Sequence, residues 1–560
     1  MGASVHRKVL GLIGALGLCA LAGAVQAQTA QAQTAHAQAG APVVHAPAGA
    51  VRGLAQDGLQ VFKGVPYAAA PIGGLRWAPP ASAPVWQGVR DAAQFGPSCW
   101  QPKANGGIYA STLASMSEDC LSLNIWGPKD AKRAPVLVWI HGGALISGSS
   151  SEGMYDGGAL AKRGLVVVSI NYRLGVLGYM AHPELSAQSP DKVSGNYGLL
   201  DQIKALEWVK RNIAAFGGDP ANVTIAGESA GGLSVLYLMA SPKARGLFSK
   251  AIAQSAYMVS TPHLNEARFG HVAAEAMGAA TAAKLGAKSL ADLRAMDAEI
   301  LTTQALMAGF QTTAAVDGKV LPRQVVDAFD RGEQARVPVL AGFNSGEIRS
   351  LRRLAPPPPA DAAAYEAQIR QRYGDLADDF LKLYPSSDVP ESVLAAPRDA
   401  LYGWTAERLA AKQTKLGAQG YLYLFDHGYP AAQAAGLHAF HAAEIPYVFG
   451  TASKTPDGWP KNPDTPTEAA LTAAMGDYWA SFAKDGAPTA KGRPAWPAYG
   501  AGRAYMIFAD APQVGSHLRP GMYELNEAVM CRRRAQGDIS WNWNVGVVSP
   551  PLPPGVAECR

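Results

Sequence analysis

The sequence predicts an α/β fold made of strands that end in glycine-rich turns, and three stretches carry that reading. Val223-Thr224-Ile225-Ala226 is an apolar run of strand type that stops at Gly227-Glu228-Ser229-Ala230-Gly231, and the residues from Gly231 to Met239 read as a helix. Val136-Leu137-Val138-Trp139-Ile140 is a second strand, running into His141-Gly142-Gly143-Ala144. A third, Val337-Pro338-Val339-Leu340-Ala341, enters a glycine-containing loop, Gly342-Phe343-Asn344-Ser345-Gly346, that ends in the carboxylate of Glu347.

The first stretch has the context of a nucleophile elbow. A serine on a sharp strand-to-helix turn projects its hydroxyl above the sheet, and the flanking glycines let the chain bend that tightly. The following helix points free N–H groups at the same place, where a developing oxyanion would be stabilised. The plain alternative is a tight turn with an incidental serine. In the second stretch, glycine lets backbone N–H groups approach a reacting carbonyl with no Cβ in the way; the alternative there is an ordinary βα turn.

With these motifs the chain resembles the type-B carboxylesterases, the esterase/lipase family that includes cholinesterases and bacterial para-nitrobenzyl esterases. The resemblance covers nearly all of the mature chain. It runs through Val61-Phe62-Lys63-Gly64-Val65-Pro66-Tyr67-Ala68, Leu75-Arg76-Trp77, Ser117-Glu118-Asp119-Cys120-Leu121-Ser122-Leu123-Asn124, Asn171-Tyr172-Arg173-Leu174-Gly175, Gly195-Asn196-Tyr197-Gly198 and Phe216-Gly217-Gly218-Asp219-Pro220. It implies an α/β-hydrolase fold: a large, mostly parallel central sheet flanked by helices, with long active-site loops. It also implies a serine carboxylesterase working through an acyl-enzyme.

In that fold the catalytic groups follow in the order Ser, acid, His. The family's Gly-x-Asn-x-x-Glu pattern matches Gly342 to Glu347 and implies Glu347 as the acid, against the reading of a solvated surface glutamate. Two histidines, His438 and His441, stand close together downstream, and spacing alone does not separate them. The family's His-x-x-Glu-(Leu/Ile)-Pro-x-Val-Phe-Gly selects His441 and leaves His438 at the rim. The resemblance then implies Ser229 as nucleophile, His441 as base, and an oxyanion hole from the N–H groups of Gly143, Ala144 and Ala230. Ala144 stands where the family more often has a third glycine, a change that keeps the backbone donor. A histidine base must be neutral to accept the serine proton, so activity should rise through an apparent pKa of about 6 to 7.

Glu228 and Ser255 match buried family residues for which a structural role is expected. Ile348-Arg349-Ser350-Leu351-Arg352-Arg353 departs from the family in placing three arginines within five positions. Arg349 is therefore a candidate for binding an acidic substrate through two parallel hydrogen bonds. The alternative is a solvated helix face whose arginines meet water or neighbouring carboxylates.

The chain start reads as an export signal over residues 1–27: His6-Arg7-Lys8, an apolar run from Val9 to Ala24, and Val25-Gln26-Ala27 as a small-residue cleavage site. Leu18 before Cys19 is too bulky for lipoprotein processing. Residues 28–50, rich in Ala, Gln, Thr and Pro, read as a disordered leader, and residues 51–560 as one large domain. No later stretch reaches the roughly 18 apolar residues of a membrane span. Removing Arg7 and Lys8 leaves 47 basic against 44 acidic residues, a formal +3, with no basic block that argues for nucleic acid.

Four cysteines remain without Cys19, which fits an oxidising compartment, periplasmic or extracellular. The resemblance implies that Cys99 and Cys120 close a loop beside the active-site entrance, and Cys531 and Cys559 are left to pair. No His/Cys cluster has metal-ligand spacing and no phosphate loop is present, so neither metal nor cofactor is expected. The expected partner is a small-molecule ester and the expected state a monomer. Two rival readings remain. One is hydrolysis of amides, carbamates, thioesters or lactones on the same machinery. The other is a non-catalytic adhesion relative, a class that lacks a triad member and carries a membrane anchor.

Overall fold

The apolar runs assemble into one sheet. The computed structural model describes residues 41–103, 106–541 and 544–559. Its large sheet contains β1 (Leu54–Gln56), β2 (Leu59–Pro66), β3 (Ser122–Pro128), β4 (Ala134–Ile140), β5 (Val166–Ile170) and β6 (Gly218–Glu228). It continues with β7 (Lys250–Gln254), β8 (Val339–Asn344), β9 (Gly420–Phe425), β10 (Ala504–Phe508) and β11 (Pro512–Ser516). The spatial order is β11-β10-β9-β8-β7-β6-β4-β5-β3-β2-β1. Neighbours from β5 across to β10 are parallel, and the pairs at either edge are antiparallel.

β5, β7, β8 and β9 are buried at every position, as parallel strands covered on both faces must be. Their period of two divides the core into layers. Val136, Val138 and Ile140 of β4 join Leu206 and Leu236 on one face; Leu137 and Trp139 join Trp479 and Phe482 on the other. The helices Tyr197–Asn212 and Ala230–Ala240 therefore cover the first face, and Pro466–Asp485 covers the second.

The leader read as disordered over 28–50 is corrected at its C-terminal end. Val43–Ala46 and Gly49–Arg52 form an antiparallel hairpin, extended by Val89–Asp91. Val44 and Val51 are buried, and Trp86 Nε1 donates to Ala50 O at 2.8 Å. Two apolar side chains and an indole give this segment a packing site that its composition does not reveal. The 1–27 signal and residues 28–40 lie outside the described residues.

Cys99 is bonded to Cys120, and Cys531 to Cys559. No helix among the described residues is long and apolar enough to cross a membrane. Register brings the carboxyl ends of the central strands to one edge. Ile140 pairs with Gly227, Glu228 with Gln254, and Gln254 with Gly342. Ligand sites of parallel α/β sheets form at that edge.

Candidate active site

Ser229 is the only residue between β6 and the helix Ala230–Ala240, and it takes the whole bend, with φ 56° and ψ −121°. Such a backbone is strained for a side chain with a Cβ. The flanking glycines do not share the bend, since neither has a positive φ. They are needed for space. A Cβ on Gly231 would lie 2.0 Å from Ile140 O, and one on Gly227 would lie 2.5 Å from the Gly231 carbonyl carbon. The sequence reading is corrected on this point: serine bends the chain, and glycine lets β4 and the helix close around it.

The loop after β4 runs alongside. Gly143, Ala144 and Leu145 have φ of 100°, 56° and 61° in succession. A Cβ on Gly142 would lie 3.2 Å from Ser229 Cβ, and one on Gly143 would lie 2.1 Å from Ser147 O. Close approach to Glu228, whose backbone O would lie 2.9 Å from that Cβ, and then to the serine, rather than turn type, favours glycine at 142. Among the described residues, the N–H groups of Gly143, Ala144 and Ala230 donate to no other group of the chain. Burial pushes the His141 imidazole down to about 4, so it is neutral, stacked on Tyr172 with ring centroids 4.5 Å apart.

Glu347 lies three residues beyond β8, fully buried. Its Oε1 accepts from Asn344 N at 2.9 Å, and its Oε2 is in close contact with His441 Nδ1. The two loops meet because Gly346 bridges to Phe440 and its N–H donates to Ala439 O at 2.8 Å. A Cβ on Gly346 would lie 2.6 Å from Leu437 O. His438 points elsewhere, its Nε2 3.0 Å from Asp426 Oδ1, with its side chain 38% exposed.

His441 Nε2 faces Glu228 Oε1 at 3.1 Å, and among the described residues no hydrogen bond joins it to Ser229. Both groups are nearly fully buried. Burial raises Glu228 to about 8, with the charges of Glu444 and Glu347 adding to it and that of His441 opposing. Burial lowers the imidazole, but the charges of Glu228 and Glu347 outweigh it and push His441 up to about 9. The two carboxylates beside it therefore favour the protonated imidazole. Glu228 is thus in direct contact with the imidazole, more than the buried structural carboxylate the sequence implies.

Further buried partners surround the pair. Glu444 accepts from Gln254 Nε2 at 2.8 Å and from Asn344 Nδ2 at 2.7 Å, and Trp479 Nε1 donates to Gln254 Oε1 at 2.9 Å. The Tyr402 ring lies 5.4 Å from the His441 ring and the Tyr109 ring 6.4 Å from it. Sequence reasoning missed Asn344, Gln254, Tyr109 and Tyr402. Asn344 and Glu444 carried a signal in the motifs they belong to; the tyrosines carried none. Ser255 is fully buried at φ 45°, its N–H donating to Gly342 O at 2.8 Å, and no hydrogen bond joins its hydroxyl to Glu347. Arg349 is engaged with Glu391 Oε2 at 2.5 Å, and Arg352 and Arg353 are exposed. This is the neighbouring-carboxylate arrangement, with one Arg349 nitrogen, Nη2, on Glu391.

A parallel sheet with antiparallel edges, carrying a serine elbow, a backbone N–H loop and a Glu–His pair at its carboxyl edge, defines an α/β hydrolase. The chain belongs to the carboxylesterase family, whose model matches residues 40–525, and it is a carboxylic ester hydrolase. It is 38% identical over 488 residues to the fumonisin B1 esterase of Sphingopyxis macrogoltabida, covering 85% of this chain and 87% of that protein. It is 36% identical over 460 residues to the para-nitrobenzyl esterase of Bacillus subtilis, covering 80% and 91%. A solved carboxylesterase of Geobacillus stearothermophilus superposes with a TM-score of 0.72 at 35% identity, covering 88% of this chain and 99% of that one.

Proposed function

We propose that the protein is an exported serine esterase that cleaves small organic esters through an acyl-enzyme on Ser229. Ser229 Oγ attacks the ester carbonyl while His441 Nε2 takes its proton. The N–H groups of Gly143, Ala144 and Ala230 hold the oxyanion, each worth about 3 kcal/mol in the transition state. Collapse expels the alcohol, which leaves with the proton from His441, and water repeats the sequence to release the acid. Glu347 keeps the imidazole oriented through Nδ1 and stabilises its charged form. The observation that carries the reading is the buried Glu347–His441 pair, whose Nε2 lies against Glu228, the residue before a serine held at φ 56°. Relatives named for fumonisin B1 and para-nitrobenzyl esters support small organic esters as the substrate class.

A chromogenic ester assay with an organophosphonate label and mass spectrometry tests this. The label should add to Ser229, and labelling elsewhere with full loss of activity would sink the assignment. Export is supported by the charged-then-apolar chain start and the two disulfides. Cell fractionation and N-terminal sequencing of the mature protein test it; an intact, reduced chain in the cytosol would refute it. A monomer is the proposed state, checked by light scattering.

A further inference from the structure

The loop closed by Cys99–Cys120 reaches the candidate base through one side chain. Tyr109 Oη lies 2.9 Å from His441 O and 2.8 Å from Ser350 Oγ. Ser350 Oγ in turn accepts from His441 N at 3.3 Å. A carbonyl can only accept, so the single tyrosine proton goes to His441 O. The Ser350 hydroxyl, 2.8 Å from Tyr109 Oη against 3.3 Å from Glu347 O, then donates to the tyrosine, and its lone pair receives the His441 N–H. The three bonds close a ring that starts and ends on the peptide groups of His441. Ser350 also lies three residues after Glu347, with its Oγ 3.3 Å from Glu347 O, so one hydroxyl touches the backbones of both acid and base.

The backbone here needs holding. His438 and Ala442, on either side of His441, both have positive φ, 52° and 67°, and such conformations persist only where surroundings over-determine them. Side-chain contacts to Glu347 and Glu228 set the imidazole's tilt. Bonds from Gly346 and Asn344 hold Ala439 and Phe440, and the ring through Tyr109 and Ser350 holds the peptide groups of His441 itself. The same loop has a second anchor, Ser111 Oγ to Glu152 Oε2 at 2.9 Å, and the Tyr109 ring stands edge-on to Trp459 at 5.9 Å.

We infer that Tyr109 and Ser350 are positioning residues that set the height of His441 over Ser229, and so couple the disulfide-closed loop to turnover. The inference rests on His441 being the base. Tyr109 and Ser350 touch no reacting atom; they act through the His441 backbone, where a displacement near 1 Å is enough to cost up to about a hundredfold in rate.

The test is steady-state kinetics on a chromogenic ester, with kcat expressed per active site titrated by phosphonate burst, so that lost folding does not count as lost rate. Tyr109→Phe keeps the ring and its edge contacts; Ser350→Ala is the second variant. Each should lower kcat about tenfold with KM within about twofold. The double variant should be no worse than the larger single, since either change opens the same ring. In a Cys99→Ala/Cys120→Ala background, Tyr109→Phe should cost much less, because the loop no longer presents the tyrosine. Wild-type kcat in both variants overturns the inference. A raised KM with intact kcat also overturns it and makes Tyr109 a substrate contact. An undiminished Tyr109→Phe effect without the disulfide overturns the coupling. If instead His441→Ala stays active, the assignment of the base has failed; an inactive His441→Ala beside a fully active Tyr109→Phe removes the ring alone.

Discussion

His441 Nε2 sits 3.1 Å from Glu228 Oε1, the carboxylate of the residue immediately before Ser229. One imidazole thus lies between two buried glutamates, one on each nitrogen, and its protonated form is the one this resting geometry suits.

That arrangement sets the pH dependence. Nε2 accepts the serine proton only in the neutral imidazole, the form that this pair of buried carboxylates disfavours, so activity should rise with pH. The pair raises His441 to about 9, above the 6 to 7 that an ordinary imidazole predicts. Glu228→Gln removes the largest charge acting on His441, so the midpoint of the acid limb of kcat/KM should move down by about a unit or more. A midpoint that stays put in the variant would mean the Glu228 charge does not control the base.

Ser229 carries chemistry and strain together. Ser229→Ala should lower kcat by about 10⁴-fold or more with the fold intact. Ser229→Gly should be equally inactive yet at least as stable as the parent in a thermal melt, because glycine adopts φ 56° without penalty. A less stable glycine variant would show that the turn is not strained.

Gly231 separates space from helix propensity. At the start of a helix, glycine to alanine normally stabilises by up to about 1 kcal/mol. Here the new Cβ would lie 2.0 Å from a β4 carbonyl, so Gly231→Ala should destabilise by about 3 kcal/mol or more, or fail to fold. Urea titration decides the sign.

The two histidines should behave oppositely. His441→Ala should be inactive, whereas His438→Ala loses only a half-exposed contact to Asp426, worth about 1 kcal/mol or less, and keeps its turnover. An inactive His438 variant beside an active His441 variant would reverse the assignment.

Arg349 is spoken for by Glu391, with side chains 29% and 41% exposed. Arg349→Ala should cost no more than about 1 kcal/mol in stability and leave the ratio of kcat/KM for acidic and neutral esters unchanged. A selective loss on acidic esters, suppressed by salt, would restore the substrate-binding role.

Residues whose roles depend on nearby backbone were legible in the sequence. A β-branched run ending at Gly227-Glu228-Ser229-Ala230-Gly231 announces a strand, a sharp bend and a helix, because turn sterics act over a few residues. The hairpin at Val43–Arg52 was missed for the opposite reason: its order comes from Trp86 and a buried face, which composition does not encode. Glu347 and His441, 94 residues apart, could be named only from motif resemblance. Their contact is made by the bridge from Gly346 to Phe440.

By itself, then, the sequence determined the α/β class, the elbow at Ser229 and the candidate acid and base, all through local sterics and ordered motifs. Tertiary structure alone decided that Glu228 faces His441, that Glu391 occupies Arg349, and that Tyr109 ties a disulfide-closed loop to the His441 backbone. Those contacts depend on how separate loops are stacked at the sheet edge. Burial and charge act through space there, with no fixed spacing along the chain to betray them.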